Sequence, residues 1–78
     1  MNLQEHMDML GMEDADHLAF RAKVPKAAVR RALQGKPIAE SIAHRICETI
    51  TSQYSNHANT QHAAKLTPED IGLVTFTP

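Results

Sequence analysis

Residues 18–35 read LAFRAKVPKAAVRRALQG, and this stretch decides how the surrounding chain folds. It contains two short runs in which apolar residues recur at the spacings that place side chains on one face of a helix. These residues are Leu18, Ala19 and Ala22 in the first run, and Val29, Ala32 and Leu33 in the second. Three of the six are alanines, whose small side chains let two helices approach closely. The stretch therefore predicts two short helices that cross and pack against each other.

The break between the two predicted helices lies at Val24 and Pro25. Pro25 restricts Val24 to extended geometry and cannot continue the first helix, because proline has a fixed φ and no N–H. The same residue is favourable at the start of the next helix. We therefore predict helices over residues 14–23 and 25–34, with Val24 as the apolar residue that fills the turn between them.

Patterns on either side of this stretch predict two further helices. Residues 3–10 follow a suitable capping residue, Asn2, and precede Gly11, which is typical of a helix end. Residues 39–54 carry isoleucines at four-residue steps, which predicts a longer amphipathic helix. These isoleucines are Ile42, Ile46 and Ile50. We expect the apolar faces of both helices to close a core over the central pair.

The last third of the chain has weaker patterns. Residues 52–66 fit either a loop or a short helix, and the sequence leaves both open. Thr67 and Pro68, followed by two acidic residues, are typical of a helix start, so we expect a short helix over residues 68–72. Residues 73–77 alternate and are rich in β-branched side chains, which predicts a short strand that needs a partner.

The composition of the 78 residues indicates one small all-α domain of four or five helices, with a short C-terminal strand. We divide it into a helical core, residues 1–54, and an extension, residues 55–78, that mediates dimerisation. No apolar run approaches the ~18 residues of a membrane span, and the first residues lack the pattern of a signal peptide. The lone Cys47 fits a reducing compartment. We expect a cytoplasmic protein that is not an enzyme.

Charge is distributed unevenly along the chain, although the net charge is only −1. Residues 1–20 contain five acidic residues and no Lys or Arg, whereas residues 21–36 contain six Lys or Arg and no acidic residue. Attraction to a polyanion depends on the local patch that faces it, not on the net charge. The sequence therefore predicts a basic surface around residues 21–36, with the acidic N-terminal segment on the side that faces away.

The central stretch resembles the helix-turn-helix of the lambda repressor and Cro family of transcriptional regulators. The resemblance extends over about residues 3–50 and rests on Leu18-Ala19, Val29, Gln34-Gly35, Lys36-Pro37 and the pattern Ala43-x-Arg45-Ile46. It implies a lambda-repressor-like fold and a Cro-like repressor. Such a protein binds an operator in double-stranded DNA as a homodimer, with the helix at residues 25–34 in the major groove. It also implies association with the nucleoid and pairing of the C-terminal strand across the dimer.

The chain departs from this family at positions that affect DNA recognition. Lys23 stands where the family prefers glycine, and left-handed geometry at a residue with a Cβ costs about 1 kcal/mol. Ala15 and the pair Lys26-Ala27 stand where the family often has Gln or Ser, so base reading through Gln is not expected. Ala39 replaces a usual Ser cap, and Ser41 is the nearest alternative. Recognition is therefore expected to rest on the cationic side chains.

Candidate DNA contacts follow from the second predicted helix of the pair. The base-reading candidates are Lys26, Ala27, Arg30 and Arg31. An arginine here suits the two acceptors of guanine, and Ala27 suits a thymine methyl group. The phosphate candidates are Arg21, Lys23, Gln34, Lys36 and Ser41. No cofactor, metal, membrane or small-molecule substrate is expected.

Other classes of function have weaker support in the sequence. The donors His44, Cys47, His57 and His62 match no standard zinc spacing. No Gly-rich phosphate loop and no Ser-x-x-Lys pair is present. The alternative that stays open is an antitoxin-like or adaptor protein, which binds a protein partner through the segment from His57 onward. In that case the helix-turn-helix serves autoregulation.

Overall fold

The computed structural model describes residues 2–56 and 66–77 of the chain. They form four α-helices, one short 3-10 helix and two short strands. The α-helices are α1 (Leu3–Met9), α2 (Ala15–Ala22), α3 (Lys26–Leu33) and α4 (Glu40–Asn56). The strands are β1 (Ile38–Ala39) and β2 (Thr75–Phe76), and the 3-10 helix is Pro68–Ile71. The chain is therefore mostly helical, as predicted, with a short two-stranded element.

Side-chain caps decide where the first two helices begin. Asn2 Oδ1 accepts a hydrogen bond of 2.9 Å from the backbone N–H of Glu5, and Glu5 Oε1 accepts one of 3.0 Å from the N–H of Asn2. Asp14 Oδ1 accepts a bond of 2.9 Å from the N–H of His17 at the start of α2. These acceptors satisfy N–H groups that have no partner inside the helix. Both helices begin within one residue of the predicted position.

The turn between α2 and α3 has the strained geometry that the sequence predicts. Lys23 ends α2 with φ 57° and ψ 45°, and among the described residues it is the one non-glycine with a positive φ. Val24 is buried, and its N–H bonds to the carbonyl of Ala19 at 3.1 Å. Pro25 has φ −61° and ψ 140° and lies just before the helix. α3 therefore begins at Lys26, one residue later than the predicted start at Pro25.

The hydrophobic core is aliphatic and draws on every helix. Ile46 and Ile50 of α4 are fully buried, whereas Ile42 is only partly buried at the edge. Ile71 of the 3-10 helix and the following Leu73 are buried in the same cluster as the helical residues. The helix predicted over residues 68–72 is present in 3-10 form, with Thr67 as its cap. The C-terminal residues are therefore packed on the same core that positions α3.

The two strands run parallel within one chain, with Ile38 opposite Thr75 and Ala39 opposite Phe76. The N–H of Ile38 donates to the carbonyl of Val74 at 2.9 Å. Ala39 lies in β1, so the helix expected from residue 39 begins one residue later, at Glu40. A two-residue strand has no periodicity of its own, and only the distant C-terminal segment gives its N–H an acceptor. The predicted C-terminal strand thus finds its partner in the same chain.

Candidate nucleic-acid interface

α3 presents a buried face to the core and a charged face to solvent. Its buried residues are Ala28, Val29 and Ala32, and they pack against α1, α2 and β1. Its exposed residues include all four base-reading candidates, Lys26, Ala27, Arg30 and Arg31. Side chains on the first turns and outer face of a helix are those that reach base edges when the helix enters a groove. The structure therefore brings the four candidates onto one accessible surface, which we call the α3 face.

An acidic residue of α2 lies among the cations of the α3 face. Asp16 Oδ1 is 3.2 Å from Arg30 Nη2, and Asp16 Oδ2 is 3.7 Å from Lys26 Nζ. Lys26 and Arg30 are one helical turn apart, so a single carboxylate reaches both. The prediction that the whole acidic segment faces away from the basic surface is therefore wrong for Asp16. Local sequence could not reveal this contact, because it depends on how α2 crosses α3.

Arg31 is held by the loop that follows α3. Its Nε and Nη2 donate to the carbonyl oxygen of Pro37 at 3.3 and 3.1 Å. The loop turns back over the helix end, where the N–H of Lys36 bonds to the carbonyl of Arg31 at 2.9 Å. A bidentate contact to guanine needs two N–H groups of one guanidinium. The loop engages Arg31 through both Nε and Nη2, whereas Asp16 engages Arg30 through Nη2 alone, so Arg30 keeps more donors for a base.

The phosphate candidates are all exposed. Arg21 lies on α2, where its Nε donates to His17 Nε2 at 3.2 Å. Lys23 lies in the turn before α3, whereas Gln34 and Lys36 lie in the loop after it. Ser41 is exposed in the first turn of α4. Exposed cations therefore precede and follow α3 along the chain, at Lys23 and Lys36.

A polar contact that no sequence pattern predicts connects α1 to the end of α4. His6 Nδ1 lies 2.6 Å from the hydroxyl of Tyr54, and the two rings meet edge to face with centroids 5.5 Å apart. His6 is buried, and this burial lowers the pKa of its imidazole. Burial also raises the pKa of the Tyr54 hydroxyl. The two residues are 48 positions apart, so no local pattern could have paired them.

The donors considered for a metal site are not assembled in the described residues. His44 Nε2 lies 3.5 Å from Glu40 Oε1, while Cys47 is buried in the core. His57 and His62 lie outside the described residues. In residues 2–56 and 66–77 no group of three or more His, Cys, Asp or Glu side chains is placed to hold a metal ion. No helix in those ranges has the length and apolar character needed to cross a membrane.

Comparison with protein-family models, with curated proteins and with solved structures found no match to this chain. What the α3 face binds is therefore inferred from its own side chains. These are three cations and one alanine on the outer side of a short helix, bordered by further cations at both ends.

Proposed function

We propose that the chain is a sequence-specific transcriptional regulator that binds double-stranded DNA with α3 in the major groove. The observation that carries the proposal is the division of α3 into two faces. Ala28, Val29 and Ala32 hold the helix on the core, while the cations and Ala27 stay exposed. The major groove admits an α-helix, and its base edges carry the donors and acceptors that distinguish base pairs. The resemblance to the lambda repressor and Cro family supports the same function and fold.

Each side chain of the α3 face has a role that follows from its chemistry. Arg30 donates to the O6 and N7 acceptors of a guanine, and Ala27 contacts a thymine methyl group. Lys26, at the start of α3, donates to a neighbouring base or phosphate. The bordering cations Arg21 and Lys36 contact phosphates, which sets the position of the helix without reading sequence.

A homodimer on a palindromic operator fits this short recognition helix. One helix of eight residues reads few base pairs, and two-fold symmetry doubles that number. Val74, just before β2, and Phe76, in β2, support dimerisation because each is an apolar residue that is 46% exposed. Occlusion of RNA polymerase is the simplest mode of repression, because it requires only that the operator be occupied.

Selection of bound duplexes from a random pool, with the purified chain, tests the function directly. We expect an enriched motif of two related half-sites about 10 base pairs apart. The variant Lys26→Ala/Arg30→Ala should lose the motif. Arg45→Ala is the control, because Arg45 is an exposed cation on α4 and not on α3. A pool that shows no enrichment contradicts the proposal.

A protein-interaction module of the antitoxin or adaptor type is the second candidate. The exposed Val74 and Phe76 favour it as much as they favour a homodimer, since either partner would cover them. The mass of the native complex separates the two. A stable complex with a different protein, together with no enriched DNA motif, supports the interaction module, whereas twice the mass of one chain supports the homodimer.

A further inference from the structure

Asp16 is an acidic residue inside an otherwise cationic surface. Its two carboxylate oxygens lie 3.2 Å from Arg30 and 3.7 Å from Lys26. We infer that Asp16 is a positioning residue that sets DNA sequence specificity, and this inference rests on the proposed function of the α3 face. Asp16 acts through the two cations and does so in two ways, by orienting Arg30 and by weakening attraction to phosphates.

Asp16 lies in the first turn of α2, where its charge gives a small stabilisation through the helix dipole, but it is not the cap of this helix. The N-terminus of α2 already has a cap, because Asp14 accepts the N–H of His17. The ion pairs themselves are exposed, with side-chain exposures of 44% for Asp16, 61% for Arg30 and 65% for Lys26. Exposed ion pairs contribute little to stability. We therefore expect the main effect of Asp16 to be on DNA binding.

The contact between Asp16 and Arg30 leaves the arginine able to read a base. It engages one guanidinium nitrogen, Nη2, at 3.2 Å. A guanidinium has five N–H donors, so donors remain on Arg30 that this contact does not engage. Arg30 can therefore hold Asp16 and a guanine together. Because its side chain is already held in one place, less conformational freedom is lost on binding a base in the matching position.

The charge of Asp16 acts differently on specific and non-specific binding. Non-specific binding is attraction between cations and phosphates, so it depends on the charge of the protein surface. Asp16 reduces the charge of its cluster with Lys26 and Arg30 from +2 to +1. A directional pair of hydrogen bonds to guanine depends on geometry instead. Asp16 thus lowers affinity for arbitrary duplexes more than affinity for the correct one.

The variant Asp16→Asn tests the inference, because it removes the charge and keeps the size of the side chain. Affinity is measured for the selected duplex and for a scrambled duplex of equal length over a range of salt concentrations. We expect binding to the scrambled duplex to strengthen about three- to tenfold. Binding to the selected duplex should strengthen less, so the ratio of the two affinities falls. A repeated selection should show relaxed preference at the guanine.

Two controls separate position from charge. Glu13→Gln makes the same charge change at an exposed residue just before α2, and it should alter both affinities equally. Asp16→Glu keeps the charge but moves the carboxylate by one methylene group. It should bind the scrambled duplex as the unaltered chain does and still show relaxed base preference. In an Arg30→Ala background, Asp16→Asn should no longer change base preference.

The outcomes distinguish this inference from the proposed function. If the unaltered chain prefers no duplex over a scrambled one, the proposed function and the role of Asp16 both fail. If it selects a motif but Asp16→Asn and Glu13→Gln change the affinity ratio equally, the proposed function stands and the role of Asp16 is overturned. That role is also overturned if Asp16→Glu matches the unaltered chain in base preference, because charge alone would then explain the residue.

Discussion

His6 Nδ1 lies 2.6 Å from the hydroxyl of Tyr54, and this contact joins α1 to the last turns of α4. The imidazole is buried, and burial is the main cause of its lowered pKa. A charged imidazole at this position would have to give up most of its hydration. The neutral form of His6 is therefore part of the folded state.

Stability should fall as the pH falls from neutral through the range below 6.5. The pKa of His6 in the folded chain lies below the ordinary value of 6.5, so the unfolded chain binds a proton first and gains from it. The stabilisation from neutral His6 is complete above pH 6.5 and is lost as the pH falls toward the pKa of His6 in the folded chain. Urea unfolding at pH 7.5 and pH 5 measures the difference, and His6→Gln should reduce it.

His44→Gln is the matched control for this pH dependence. His44 is exposed on α4, where it lies 3.5 Å from Glu40. Its replacement should leave most of the loss of stability at low pH in place. An equal reduction by both variants would show that burial of His6 is not the cause.

Replacement of Lys23 by glycine should stabilise the chain. Lys23 holds φ 57°, a conformation that costs a residue with a Cβ about 1 kcal/mol and costs glycine nothing. Part of this gain is offset by the greater freedom of glycine in the unfolded chain. Lys23→Ala is the control, because it removes the same side chain and keeps the Cβ. The glycine variant should unfold at a higher urea concentration than the alanine variant, and the reverse order would refute the argument from strain.

Arg30 and Arg31 should respond differently to truncation. Arg30→Ala should weaken binding to the selected duplex by about 1 to 3 kcal/mol, the range of one bidentate base contact. Arg31→Ala should weaken it less and also lower stability, because the carbonyl of Pro37 loses two hydrogen bonds. Binding isotherms and urea unfolding of both variants provide the comparison. Larger loss of binding from Arg31→Ala, with unchanged stability, would reverse the assignment.

The Cys47 thiol should be inert in the folded chain. Burial, with smaller contributions from Asp70 and Glu48, raises its pKa to about 11. Because the thiolate is the reactive form, modification by a thiol reagent at pH 8 should follow the rate of unfolding. Stability should also decline as the pH rises from 9 toward 11, since the unfolded thiol ionises first. Rapid labelling in the absence of urea would contradict the buried position.

The helices could be predicted from sequence because their signals act over a few residues. Apolar spacing, the Asn2 cap and the break at Pro25 operate within about one helical turn. The left-handed geometry of Lys23 is implied only by the resemblance to a family that prefers glycine at this position, whereas the break at Pro25 follows from local sequence. The 3-10 helix after Thr67 is predictable for the same reason.

Sequence alone therefore determined the two central helices, the turn between them and the identity of the cations on α3. Tertiary structure decided which residues contact those cations through ion pairs or hydrogen bonds. Asp16 meets Lys26 and Arg30 only because α2 crosses α3, and Arg31 meets Pro37 only because the loop folds back. β1 likewise exists because a strand from the far end of the chain pairs with it. Each of these contacts joins residues that local periodicity and capping do not relate.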